Sequence, residues 1–304
     1  MVALLRQLIG DKKERWFYAG MVIISANSGG AFSPIGDVTT IMLWIGGHIT
    51  AVNIILKTIV PSVLSMVIPL ALLSLKMKGN IQKPLRVKTD HRNATTLLER
   101  NIVFFLGIGL LLFVPVFKTL TNLPPYMGIL LALGILWVVT EIMNKSKNDA
   151  NRPMVTIAGV IRKVDTPSVL FFLGILLAVA ALQSADHLEL LARNLDKYVG
   201  NLYLINVFIG LLSSVVDNVP LVAGAMGMYQ NTFPADHYFW EMLAYCAGTG
   251  GSILIIGSAA GVAVMGMEKI DFIWYLKKVS LWALIGYLAG SMAYWLMSIL
   301  ISPS

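Results

Sequence analysis

The sequence predicts an all-α membrane protein built from two inverted repeats, with discontinuous helices and a re-entrant hairpin. Three observations carry that fold class: an apolar, sparsely charged composition, polar glycine-rich breaks inside apolar segments, and a similarity between two such breaks 221 positions apart, from Asn27 to Gly248. Of the 304 residues, 57% are hydrophobic and 13% charged, with a mean hydropathy of +0.76; soluble domains carry about 25% charged residues. Apolar stretches approaching or reaching crossing length recur at 54–75, 102–117, 126–139, 169–182 and 272–301, and the shorter ones suit a packed bundle rather than lone anchors. The single cysteine, Cys246, excludes an internal disulfide.

The charge distribution sets the topology. The net charge of +7 needs no nucleic-acid partner, because the basic residues concentrate in two connectors. Lys76, Lys78, Lys83, Arg86, Lys88, Arg92 and Arg100 lie in the first, and Lys145, Lys147, Arg152, Arg162 and Lys163 in the second. Both are cytoplasmic by the positive-inside rule, and two crossings with a short turn separate them, so count and charge agree. After one further crossing, "QSADHLELLARNLDKYVGN" (183–201) has three acidic and two basic residues and suits the opposite face.

The repeat pairs "NSGGAFSPIGD" (27–37) with "GTGGSILIIGS" (248–258), each inside an apolar segment and each followed by a connector and a long apolar helix. The flanking charges reverse: "DKKER" precedes the first break, whereas "MEKIDFIWYLKK" follows the second. Two copies crossing in opposite directions with interrupted helices are the signature of an inverted-repeat secondary transporter, whose site lies where the halves meet. A further polar intrusion, "SSVVDNVPLV" (213–222), lies in an apolar run whose flanks face the same side, which predicts a re-entrant hairpin with its tip at Asp217, Asn218 and Pro220. The expected organisation is therefore residues 1–75 as the remainder of a first repeat (broken helix plus following helix), 76–100 as a cytoplasmic basic connector, and 101–304 as a second repeat. That second repeat holds three helices, the hairpin at 202–229, a broken helix at 239–267 and a last helix at 272–301. The first-half counterpart of Asp217 would fall before Met1, so the sequence predicts that the first repeat is incomplete here.

An ionised aspartate at membrane depth costs at least roughly 2.5 to 3.5 kcal/mol, and so marks a functional candidate. Burial raises a carboxylate's proton affinity and a bound cation lowers it, so the same oxygens can hold either. Hydroxyls, amide oxygens and carbonyls freed at a helix break complete a shell for a hard cation. Asp37, Asn27, Thr39 and Thr40 form such a set in the first break, and Asp217, Asn218, Ser213 and Ser252 in the second half. Gly29, Gly30, Pro34, Gly36, Pro220, Gly250, Gly251 and Gly257 are the expected backbone breaks. Apart from Arg6, no Lys or Arg is expected within these segments to neutralise the aspartates. The four histidines are read as interfacial, the tryptophans and tyrosines largely as interfacial anchors, and Cys246 as packing.

"SANSGGAFSPIGDVTTIMLW", "SSVVDNVPLVAGAMGMY" and "GTGGSILIIGSAAGVAVMGM" resemble the NhaD-type sodium/proton antiporters of the ion transporter superfamily. The resemblance runs over essentially the whole chain. It implies a multi-pass protein of the bacterial inner (plasma) membrane that expels Na+ or Li+ in exchange for protons, with Asp37 and Asp217 as the Na+ ligands and no enzymatic activity or cofactor. Its expected partners are the transported ions, the lipid bilayer and, as in many transporters of this architecture, a second copy in a homodimer. Two alternatives stay open: sodium-coupled transport of a dicarboxylate or an oxyanion on the same scaffold, and intramembrane aspartyl proteolysis, against which Pro34 stands in the Gly-x-Gly-Asp context. No phosphate-binding Gly-Lys-Ser/Thr loop is present, so an ion gradient is the expected energy source.

Overall fold

The computed structural model describes residues 1–76, 96–121, 123–145 and 184–301, with scattered positions between 157 and 182. The basic connectors at 77–95 and 146–156, and six of the fourteen positions of the helix expected at 169–182, lie outside the described residues. All regular structure among the described residues is helical, and four helices are long and apolar enough to cross a membrane: Ala51–Leu75, Leu97–Thr121, Tyr126–Asn144 and Ser280–Leu300. The protein is a multi-pass, all-α membrane protein. The chain divides into two compact units, residues 87–171 and the remainder.

The smaller unit contains an α-helical hairpin, α5 (Leu97–Thr121) and α6 (Pro125–Asn144). Pro125 occupies the first helical position, where a missing N–H breaks no bond. The two helices of 25 and 20 residues extend about 37 and 30 Å, enough for the hydrocarbon core.

The larger unit opens with α1 (Val2–Leu8) and α2 (Lys12–Ala31), the latter capped by Asp11, whose carboxylate accepts from Glu14 N–H at 2.8 Å. Helix α2 stops because Pro34 supplies no N–H and disfavours helical geometry at Ser33. The chain turns through 32–37 and restarts as α3 (Val38–Ile45), then α4 (Ala51–Lys76). Past the smaller unit come α7 (His187–Tyr198), α8 (Leu202–Leu212), α9 (Asn218–Tyr229), α10 (Tyr238–Gly250), α11 (Ala259–Glu268), α12 (Phe272–Lys278) and α13 (Ser280–Ile301). Helices α8 and α9, of 11 and 12 residues, reach only about 17 and 18 Å each, too short to cross.

Local structure recurs at the 221-residue offset. Helices α3 and α11 begin at Val38 and Ala259, and their N-caps Asp37 and Ser258 are both extended, at φ −140°, ψ 157° and φ −148°, ψ 153°. The turn bond from Gly36 N–H to the Ser33 carbonyl (3.0 Å) reappears from Gly257 to Leu254 (3.1 Å). Helices α4 and α12 begin at the equivalent Ala51 and Phe272. In packing, α2 lies against α11 and α10 against α3, so the leading half of each broken helix meets the trailing half of the other, while α4 and α13 form the most extensive contact.

Three expectations change. The last segment, 272–301, is two helices meeting at Val279 (φ −118°) rather than one. Arg6, the basic residue left as a potential neighbour of the aspartates, is brought by α1 to Glu268 instead. The large aromatics are not all interfacial: Trp44, Trp240, Tyr229, Tyr245, Tyr275 and Tyr287 are fully buried. Several tyrosine hydroxyls are needed inside, where helix breaks and close helix packing leave carbonyls without water. Tyr275 donates to the Ser252 carbonyl and Tyr287 to Val207, both at 2.8 Å, and Tyr245 to Tyr287 at 2.9 Å.

Candidate cation site at the helix breaks

The first break positions Asp37 at the N-terminus of α3, where the exposed N–H groups and helix dipole favour a negative charge. The Thr39 hydroxyl donates to Asp37 Oδ2 at 2.5 Å. Thr40, one helical turn in, donates its hydroxyl to the Asp37 carbonyl at 2.9 Å. Both threonines are fully buried and Asp37 is half-buried.

The hairpin of α8 and α9 delivers the second group. Its turn at 213–217 places Asp217 as the N-cap of α9, again at the positive end of a half-helix. Asn218, 5% exposed, donates its Nδ2 to Asp37 Oδ2 at 2.9 Å. One oxygen therefore accepts from two chain segments 181 positions apart in sequence, and α9 packs on α3. Asp217 lies close enough for its charge and that of Asp37 to interact. Two carboxylates at this separation repel, and a shared cation or proton relieves that repulsion.

Asn27 does not join this cluster. Its Nδ2 donates to Ser258 Oγ at 2.9 Å, and Ser258 also accepts from Gly261 N–H at 3.1 Å as the cap of α11. Ser258 thus occupies the position equivalent to Asp37, and Asn27 bridges the two breaks. Ser213 is fully buried, with its hydroxyl 2.9 Å from the Gly210 carbonyl and 3.1 Å from that of Ala247, donating to one at a time. Ser252 donates to the Thr249 carbonyl at 2.6 Å. Both serines line the second break rather than the Asp37 cluster, and each keeps oxygen lone pairs available.

Of the expected breaks, Pro34 and Gly36 lie in the first interruption and Gly251 and Gly257 in the second, with Gly250 ending α10. Space is the reason for glycine at these places. A Cβ on Gly36 would sit 2.6 Å from the Gly30 carbonyl oxygen, one on Gly251 2.6 Å from that of Gly257, and one on Gly250 2.0 Å from that of Gly210. Three assignments are corrected. Gly29 and Gly30 are both helical, Gly29 with open space where a Cβ would go, and Pro220 sits in the first turn of α9, where its ring needs no N–H, rather than at the tip.

The charges that would compete for these aspartates are held elsewhere. Arg6 and Arg15 both pair with Glu268, each at 2.6 Å, and the Glu268 side chain is 1% exposed. These are the ion pairs found among the described residues. Sequence reasoning did not select Glu241, although an acidic residue at the start of an apolar helix was a signal for it.

The family model described as "Citrate transporter" (CitMHS) matches residues 1–248. The chain belongs to this family. Within it, the NhaD-type resemblance holds. The chain is 49% identical over 97% of its length to "Sodium/proton antiporter 1" of Arabidopsis thaliana, covering 51% of that protein, and 47% identical to "Sodium/proton antiporter 2", covering 70%. It is 28% identical over 91% of its length to "Na(+)/H(+) antiporter NhaD" of Vibrio cholerae, covering 61% of it. The chain thus spans about half to 70% of the length of these relatives. The relatives are named as transporters rather than enzymes. No solved structure matches.

Proposed function

We propose that this CitMHS-family protein exchanges Na+ or Li+ for protons across a membrane that carries a proton gradient, the inner (plasma) membrane in a bacterium. The single observation that carries this reading is the Asn218 to Asp37 hydrogen bond of 2.9 Å, which ties the hairpin tip to the first helix break and gathers two carboxylates at two half-helix N-termini. Asp37 and Asp217 are the groups that hold either a cation or a proton. Thr39 and Asn218 orient Asp37, while Ser213, Ser252 and Asn27 supply oxygens from the breaks; Thr40 closes the first turn of α3.

The 221-residue recurrence supports two halves, 1–75 and 101–304, that rock against one another around the site. The names of the plant and bacterial relatives support sodium and proton as cargo. A dicarboxylate cargo is disfavoured by the paired carboxylates, which repel an anion. Assembly as a homodimer is part of the same proposal.

The test is Asp37→Asn in the full-length protein. Sodium-induced proton release from acid-loaded everted vesicles is expected to vanish, whereas robust exchange by that variant would remove Asp37 from the mechanism.

A further inference from the structure

Away from the helix breaks, a cavity of about 520 Å³ opens between α4, α8, the start of α10 and α13, lined by Asn53, Lys57, Asp236, Glu241 and Tyr294 among others. Glu241, 3% exposed, is the buried carboxylate in it. Tyr294 donates its hydroxyl to Oε2 at 2.5 Å, and Asn53 Nδ2 donates to Oε1. Those two bonds use two of the carboxylate's four acceptor positions. From α4, Lys57 faces the carboxylate and interacts with its charge, and its ammonium makes no hydrogen bond or ion pair among the described residues.

The other titratable groups are committed. Asp236 accepts from the Thr50 N–H at 2.6 Å and from the Thr50 hydroxyl at 2.8 Å. His237 accepts from Phe239 N–H through Nδ1 at 3.3 Å and stacks on Phe233. Tyr203, from α8, donates to Ser298 at 2.7 Å and stacks on Tyr238. Helices α2, α3 and α9 place no charged side chain in the cavity. A purely structural carboxylate would be packed dry, whereas Glu241 borders a water-sized space.

We propose that this cavity is a proton-binding site, in which Glu241 takes a proton from water and releases it again, and Lys57 disfavours a metal cation there. An O–H bond of hydronium breaks as one forms at a carboxylate oxygen, leaving water, and release is the reverse transfer to water. By the charge reversal around the breaks, the cavity faces the side opposite the basic connectors. Glu241 lies nine residues before Gly250, about 13 Å along α10, so a proton held there is on the way to the breaks. The transport role rests on the exchange reading above; the proton binding does not.

The experiment therefore reads the proton directly. Infrared difference spectra of the purified full-length protein, acidified stepwise, should show a buried protonated-carboxyl band that Glu241→Gln removes. Lys57→Ala withdraws the positive neighbour, the proton binds more tightly, and the band's midpoint should move to higher pH by at least about half a unit. A band unchanged by both variants overturns the proposal. Where Glu241→Gln does not fold, the Lys57→Ala midpoint decides: shifted upward it supports the site, unshifted it overturns it. Sodium-driven proton movement in vesicles separates the two readings, because an inactive wild type sinks the exchange while leaving the infrared result to stand or fall alone.

Discussion

Asp37 is held by donors from two places, and removing one should be graded rather than total. Asn218→Ala deletes the donor from the hairpin, a loss of about 1.4 kcal/mol for a bond to a charged group. In the full-length protein the sodium concentration for half-maximal exchange should rise about tenfold, while Thr39→Val should act on the same oxygen to a similar extent. A second prediction concerns His237, which lies in the connector before α10. Burial pushes its imidazole below the ordinary 6.5, and Nδ1 must stay unprotonated to cap the helix. The folded form therefore keeps the ring neutral while the unfolded chain takes the proton first. The stabilisation is whole above about pH 6.5 and is lost as pH falls through the folded value. Thermal unfolding in detergent should show a Tm that declines from pH 7 to pH 5, and His237→Asn, which keeps a capping oxygen, should flatten part of that decline.

At the scale of elements, contacts between backbones decide which glycines matter. Gly250→Ala pushes a methyl to within 2.0 Å of the Gly210 carbonyl oxygen and 2.8 Å of Ser213 Oγ, where α10 meets α8 and neither backbone can retreat cheaply. Overpacking of this kind costs about 1 to 3 kcal/mol, so the Tm should fall and the hairpin should loosen. Gly29→Ala and Gly224→Ala meet open space inside helices and should gain up to about 1 kcal/mol from helix propensity. A Tm series over the three variants checks the contrast. Both Gly29 and Gly250 stand in a Gly-Gly pair in the sequence, so the pattern alone could not separate them. Which carbonyl approaches which Cα is a property of helix packing.

On the whole-molecule scale, contacts between residues far apart in the sequence hold the two halves together in pairs of places. Arg15 and Arg6 clamp Glu268 at the end of α11, while Asp236 binds the 48–50 turn after α3, taking bonds from Thr50 and giving its N–H to the His48 carbonyl at 2.9 Å. Residues 15 and 236 are equivalent at the 221-residue offset, so the same place in each half grips the end of the other's broken helix with different chemistry. Glu268→Gln leaves Arg15 facing an uncharged partner in a largely buried site, and the loss should be about 3 kcal/mol, visible as a lowered Tm in purified protein. Asp236→Asn, at a more exposed hydrogen-bonded turn, should lower it less. Equal losses would contradict the difference in burial.

By itself the sequence determined the membrane class, the two helix breaks and the identity of the polar groups within them. Each of these follows from local composition: an apolar run needs lipid or a core, and proline, glycine and hydroxyl side chains clustered within a few residues weaken a helix there. It also contained the recurrence that puts Ser258 opposite Asp37. Only the tertiary structure decided that Asn218 reaches Asp37 while Asn27 reaches Ser258, that the arginines go to Glu268, and that Glu241 is buried beside a cavity with Lys57. Those pairings join residues 181 to 262 positions apart, and distance in space between such residues is set by how helices cross, which no local pattern encodes.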